Sequence, residues 1–336
     1  MKFNFFGNEK IVHYFERLLE KGEFPPAFLF CGRDGLGKFY LAKSIAKAIN
    51  CLENKGSGLF FCGECKNCKR IEDESFLDLT VVRPEGNFIK IDQIREVVKK
   101  CSLSPFESEK RIIIIDSAEK MNRESANSLL KTLEEPPEDV IFFLITSKLS
   151  GIIPTIRSRC QIFEFLPLKN EELARFLSTK KNIPYEDALS YALFLDGSPG
   201  KIVDFDRKEI HSFQNKTLTF LEICLDNNYP LYSIRGIIES VCVKEEVFDK
   251  FLKFFFYLLR DILVVKTRLS NVGLYYLNEL ERVVFFAERL NFERLFEISF
   301  KLFDYEENRD LNLKRDLFLW NLFFFIKSER DVEGYE

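Results

Sequence analysis

An overall positive charge is missing from this sequence, and so is any apolar run long enough to cross a membrane. Lys and Arg number 49 against 53 Asp and Glu, which gives a formal net charge of −4. The isolated chain therefore has no general electrostatic attraction for DNA. The most apolar stretches, FLKFFFYLLRDILVV and LFLWNLFFFI, are broken by charge or are shorter than the ~20 residues of a membrane span. We expect them to be buried helices.

Signals for secretion are also missing. The first residues, MKFNFFGNEK, reach charged side chains before the apolar core of a signal peptide could form. Nine cysteines in 336 residues do not form the disulfide framework of a small secreted domain. We therefore expect a cytoplasmic protein. Its length predicts two or three domains, since domains usually have ~100 to 200 residues.

Helices and strands alternate over the first half of the chain, which is typical of an α/β domain with a mostly parallel sheet. The short apolar runs AFLFCG, DLTVV, RIIIID and VIFFLIT read as buried strands. Amphipathic helices lie between them, and no clear strand follows Leu168. We predict three domains: an α/β domain over 1–167, a small helical domain over 168–208, and an all-α, Phe-rich domain over 209–336.

The segment GRDGLGKFYL resembles a phosphate-binding loop in its glycines and its lysine. Gly32, Gly35, Gly37 and Lys38 occupy the spacing GxxxxGK between a predicted strand and a predicted helix. Such glycines let backbone N–H groups surround phosphate oxygens, and the lysine reaches the outer phosphates. The next position is normally Ser or Thr, whose hydroxyl binds Mg²⁺. Phe39 has no hydroxyl, so any ATP and Mg²⁺ here would be weakly held.

Residues after two later strands also contribute to the prediction of this nucleotide site. Asp116, at the end of RIIIID, matches the carboxylate that holds Mg²⁺ in related loops. Hydrolysing members place Glu directly after it, whereas here Ser117 follows and Glu119 lies two residues further on, so we do not expect a general base. Thr146 and Ser147 match a polar sensor at a strand end, although ordinary capping would explain them equally. We predict a remnant site; the alternative is only a tight strand-to-helix turn.

A cluster of cysteines gives the strongest metal signal in the chain. Cys51, Cys62, Cys65 and Cys68 occur in CLENKGSGLFFCGECKNC, and three of them repeat at CxxC spacing. Four thiolates satisfy tetrahedral Zn²⁺ in a closed structural site. An iron–sulfur cluster is the competing interpretation, but its downstream Cys-Pro ligand is absent. We predict a zinc module over 51–68.

NSLLKTLEEPP (127–137) and TIRSRC (155–160), together with the cysteine insert, resemble the clamp-loader branch of the AAA+ ATPases. More narrowly, the chain is similar to the delta-prime subunit family of the bacterial DNA polymerase III clamp loader. The resemblance implies that Arg159 acts in trans, as an arginine finger in a neighbour's ATP site. It also implies that the motor subunits' sensor arginine is replaced by GSPG at 197–200. Without the family, pairing of Arg159 with a surface carboxylate would be the simpler interpretation.

The resemblance implies an AAA+ domain, a helical lid and a helical collar in a hetero-oligomeric, five-membered ring. Its partners would be the gamma/tau and delta subunits, and indirectly the sliding clamp and primed DNA. The chain would then lack its own ATPase and be linked to DNA polymerase activity only by association. Two alternatives stay open: a gamma-like ATPase motor that tolerates Phe39 and Ser117, and a zinc-dependent nucleic-acid binding protein that uses the basic run KNCKR.

Overall fold

The computed structural model describes residues 5–53, 58–202, 206–226, 229–269, 272–308 and 314–328. Two compact units are present. The first comprises Met1–Asn182 with Leu195–Val203, and the second comprises Ile183–Phe194 with Asp204–Glu336. The first unit contains the sheet and all of the sequence-predicted site residues. The second unit is helical, as predicted for the C-terminal part.

A five-stranded sheet forms the centre of the first unit, with strand order β2-β3-β4-β1-β5 and every pair parallel. The strands are β1 (Ala27–Cys31), β2 (Leu79–Val82), β3 (Arg111–Ile115), β4 (Val140–Thr146) and β5 (Gln161–Glu164). Every residue of β1, β3 and β4 is buried, because central parallel strands are covered on both faces. The four predicted strands are confirmed. The edge strand β5 was not predicted from the sequence.

Helices cover both faces of this sheet. They are α1 (Glu9–Lys21), α2 (Lys38–Asn50), α3 (Lys66–Glu72), α4 (Ile91–Cys101), α5 (Arg123–Glu134) and α6 (Pro154–Arg157). Helix α7 (Asn170–Lys181) follows in the same unit, and none of its described residues contributes to the two cores of the sheet. On one face Phe15 and Leu41 pack with Phe28, and on the other Leu129 packs with Leu29. The alternation along β1 thus divides its side chains between two cores.

The parallel arrangement brings all the strand ends to one edge of the sheet. Gly32 follows β1 at this edge, Asp116 follows β3, and Thr146 ends β4. Ligands in open α/β sheets bind outside the carboxyl ends of the strands. This edge therefore contains the candidate nucleotide site.

The second unit buries its apolar surface between helices. They are α8 (Tyr185–Phe194), α9 (Arg207–Leu225), α10 (Leu231–Cys242), α11 (Glu245–Thr267), α12 (Leu280–Arg289), α13 (Phe292–Glu307) and α14 (Arg315–Lys327). Phe220, Phe251 and Phe255 are fully buried and make mutual ring contacts. Many of the chain's phenylalanines thus fill this core. None of the helices in the described residues is long and apolar enough to span a bilayer.

Candidate nucleotide site and metal centre

The phosphate loop takes the conformation that its glycines permit. Gly32, Gly35 and Gly37 have φ values of 141°, 79° and 83°, a region that side-chain-bearing residues rarely adopt. A Cβ atom at Gly32 would also lie 2.6 Å from the carbonyl oxygen of Phe165. The strand-to-helix turn that both interpretations require is therefore present, and it leads directly into α2 at Lys38.

Lys38 is buried, and its ammonium group lies inside the loop. Its Nζ atom donates hydrogen bonds to the carbonyl oxygens of Gly32 (2.5 Å) and Arg33 (2.6 Å). Burial lowers the pKa of Lys38, while nearby Asp34, Asp116 and Glu119 partly offset this effect. A phosphate group would have to replace these two carbonyl contacts to engage the ammonium group.

The GSPG segment packs directly on the phosphate loop. The N–H of Gly200 donates to the carbonyl oxygen of Gly35 at 2.7 Å, and a Cβ at Gly200 would lie 2.8 Å from that oxygen. The Cγ atom of Lys201 would be 3.3 Å from a Cβ at Gly35, so the stem of this lysine passes the loop. The absence of a side chain at Gly200 thus allows a close backbone contact with the phosphate loop.

An aromatic pair lies beside the loop, and the sequence analysis missed it. The ring of Phe5 would be 2.8 Å from a Cβ at Gly37. It stacks on Tyr40, with ring centroids 6.3 Å apart and planes 12° apart. Tyr40 lines a cavity of about 430 Å³ together with Gly37, Lys38 and Asp116. The cavity thus combines a cation, loop N–H groups and an aromatic side chain, which suits a nucleotide.

The predicted acidic and polar positions meet at the same cavity. Asp116 accepts a hydrogen bond from the N–H of Ser117 at 3.0 Å; burial raises its pKa. The hydroxyl of Thr146 bonds to the main chain of Lys148. Ser147 donates its hydroxyl to Glu119 at 2.7 Å. The carboxylate of Glu119 is thus hydrogen-bonded to Ser147 at the end of β4. That Glu119 does not act as a general base stays a prediction.

The side chains at this site do not provide the oxygen ligands that a well-coordinated magnesium ion requires. Phe39 brings no oxygen atom to the site, and its ring packs against the core of the sheet. The guanidinium of Arg83 lies 4.9 Å from the centroid of that ring, and its charge acts on Asp116. A fixed cation therefore lies beside the ring that stands in place of the magnesium-binding hydroxyl. Arg83 was not singled out from the sequence, because a lone arginine after a strand has no motif.

Arg159 lies just beyond α6, at the rim of the first unit. Its guanidinium donates to the carboxylate of Glu134 at 2.6 Å and to the carbonyl oxygen of Thr155 at 2.7 Å. About a third of the side chain is exposed (32%). Both contacts are within the chain, so this arginine plays no part in the chain's own nucleotide site in the geometry described.

The four cysteines of the predicted metal site come together. Their sulfur atoms all lie within 4.8 Å of one another, and tetrahedral Zn²⁺ with bonds of about 2.3 Å places its sulfur atoms about 3.8 Å apart, so small shifts would close the site. Main-chain N–H groups of Glu64 and Cys65 donate to the sulfur of Cys62 at 3.4 and 3.2 Å and lower its pKa to about 7. The closed set of four sulfurs fits a structural zinc ion. Residues 54–57 of this module lie outside the described residues.

The sheet, the strand-to-helix loop and its lysine define a P-loop α/β domain. Residues 7–169 match the family model described as "DNA polymerase III, delta subunit". The chain is 42% identical over 151 residues to the DNA polymerase III subunit delta' of Bacillus subtilis, covering 45% of each protein. It is 36% identical over 184 residues to subunit tau/gamma of Haemophilus influenzae, covering 54% of this chain and 26% of the relative.

A longer match is subunit gamma/tau of Mycoplasma genitalium, at 30% identity over 332 residues, 92% of this chain and 54% of the relative. A gamma subunit-related protein of Thermotoga maritima aligns with a TM-score of 0.46 and 17% identity, over 94% of this chain and 98% of that one. The resemblance to the clamp-loader family of DNA polymerase III is thus confirmed. The chain spans between about a quarter and about half of the curated relatives' length, and these relatives include both delta' and gamma/tau.

Proposed function

We propose that this chain is a non-motor, delta-prime-like subunit of the DNA polymerase III clamp loader. One observation carries the proposal: the phosphate loop ends in Phe39 and the acidic strand ends in Ser117, while the Ser-Arg-Cys segment is intact. A site that lacks a magnesium hydroxyl and a general base is unsuited to hydrolysis. An arginine exposed outside that site remains able to act on a neighbour.

In this proposal Arg159 reaches the ATP site of an adjacent gamma/tau subunit. Its planar guanidinium would stabilise the charge that develops on the transferring phosphoryl group. The sheet domain over 1–167, the lid over 168–208 and the collar over 209–336 would place it there as a rigid ring member. The loader would then place the sliding clamp on primed DNA in the cytoplasm, and zinc would hold the cysteine module together.

The second candidate is a gamma/tau-like motor, favoured by the identity to subunits of that name. The nucleic-acid binding alternative has weaker support. Within the basic run KNCKR, Arg70 pairs with Glu107 at 2.7 Å and lies 5.3 Å from the ring of Phe76. Its charge is therefore engaged inside the unit.

Association with loader subunits tests the proposal. We expect the purified chain to form a stable complex with gamma/tau and delta in sedimentation velocity, because a ring member must bury surface against both neighbours. The matched control is the same mixture without delta. A chain that sediments as a monomer in every mixture would contradict the assignment.

A further inference from the structure

Arg83 and Asp116 lie side by side at the carboxyl edge of the sheet. Val82 pairs with Ile115 in the register of β2 and β3, and the N–H of Asp116 donates to the carbonyl oxygen of Val82 at 2.9 Å. Each residue is therefore the first one beyond a paired strand end. The arginine is placed by the strand register, next to the carboxylate expected to hold magnesium.

Three contacts fix the position of Arg83. Its two terminal nitrogens donate to the carboxylate of Glu74 at 2.7 and 2.6 Å. The guanidinium lies over the ring of Phe39, and the main-chain carbonyl accepts a hydrogen bond from Gln93 at 2.9 Å. Because a guanidinium has five N–H donors, three remain beyond the bonds to Glu74. The side chain as a whole is 48% exposed.

Phe39 and Arg83 thus pack together as a pair. The ring removes the hydroxyl that would bind a metal ion, and the same ring supports a permanent cation near the phosphate loop. Burial raises the pKa of Asp116, while the charges of Arg83 and Lys38 lower it. The carboxylate therefore already has two cations near it. The charge of Arg83 would oppose a divalent ion at the same place, and its ion pair with Glu74 reduces this repulsion.

We propose that the guanidinium of Arg83 replaces the magnesium ion, and that this cavity takes a nucleoside di- or triphosphate without a metal. The proposal rests on the proposed function only in treating the loop as an inherited phosphate site. Lys38 and the loop N–H groups hold the phosphates, and the arginine supplies the remaining positive charge. Arginine suits this role because its donor fork matches phosphate oxygens.

Calorimetric titration of the full chain with ATP tests this inference. Magnesium should be removed by passing buffers over a chelating resin beforehand, because a soluble chelator would compete for the zinc. We expect ATP to bind with a Kd that changes less than about threefold when Mg²⁺ is added. Arg83→Gln should weaken binding in the magnesium-free buffer about tenfold or more, as expected for loss of a charged hydrogen bond.

Three variants sharpen the test. Arg95→Gln removes an exposed cation of α4 that pairs with nearby Asp92 at 3.3 Å, and it should bind ATP as the parent does. Arg83→Lys keeps the charge and should recover part of the affinity. Phe39→Thr combined with Arg83→Gln should make binding depend on Mg²⁺, with at least about tenfold tightening on its addition.

Three results would overturn the inference: no ATP binding by the parent chain, tenfold tighter binding with Mg²⁺, or unchanged binding by Arg83→Gln. None of them bears on association with loader subunits or on the role of Arg159 in a neighbour's site. The failure of this inference is therefore distinguishable from the failure of the proposed function.

Discussion

Arg159→Ala is expected to lower ATP turnover about 10³-fold at the neighbouring site that this arginine is proposed to serve, since arginine fingers contribute 10³ or more to turnover. The measurement is steady-state ATP hydrolysis by the reconstituted loader with sliding clamp and primed DNA. The complex should still assemble, because the hydrogen bonds of this side chain go to Glu134, Thr155 and Ser158 of its own chain. Arg159→Lys should recover little, because it lacks the planar donor fork.

The chain offers matched controls for this experiment. Arg157→Ala removes the same residue type two positions earlier, at the end of α6, and should leave turnover unchanged. Glu134→Gln weakens the ion pair that holds Arg159 but leaves the contact to Thr155, so it should not abolish turnover. Equal turnover by the Arg159→Ala and parent complexes would show that this arginine has no catalytic role in trans.

Loss of the metal centre is expected to unfold the cysteine module. Structural zinc contributes about 10 to 16 kcal/mol in small zinc-binding peptides, and the small core here consists of little besides Phe61, Cys51 and Cys68. We expect one zinc ion per chain by metal analysis, and none in Cys68→Ser. Limited proteolysis should then cut this variant between 51 and 72, while the parent resists. Cys242→Ser, in α10, should keep both the zinc and the resistance.

The module is linked to the phosphate loop through α2. Cys51 directly follows this helix and Lys38 begins it, and Lys43 donates to the carbonyl oxygen of Glu72 in α3 at 2.5 Å. Zinc removal should therefore also loosen the helix that carries the loop lysine. Stoichiometric iron, or a fully resistant chain without metal, would contradict the zinc assignment.

The sequence alone predicts the features that depend on a local pattern of residues. The four predicted strands are confirmed because their apolar runs are short and β-branched or aromatic. Three of them are buried throughout, whereas β2 is an edge strand and is only half-buried at its centre. The cysteines also come together as their spacing predicted. The edge strand β5 was missed because QIFE is mostly exposed. Only its pairing with β1 makes it a strand.

Features that depend on strand register could not be predicted in the same way. Arg83 reaches the edge of the sheet beside Asp116 because β2 and β3 pair in one register. Phe5 reaches Gly37 across more than thirty residues of sequence, and no local pattern indicates such a contact. The role proposed for Arg159 depends on a neighbouring subunit, and the sequence indicates it only through the resemblance to the family.

ATP turnover by the purified chain alone, with Mg²⁺ and primed DNA present, tests the central claim most directly. The claim is that Phe39 and Ser117 leave this phosphate loop without hydrolytic chemistry. The account predicts no turnover above that of Lys38→Ala, which removes the loop cation. Turnover by the parent chain that Lys38→Ala abolishes would contradict it and identify the chain as a motor subunit.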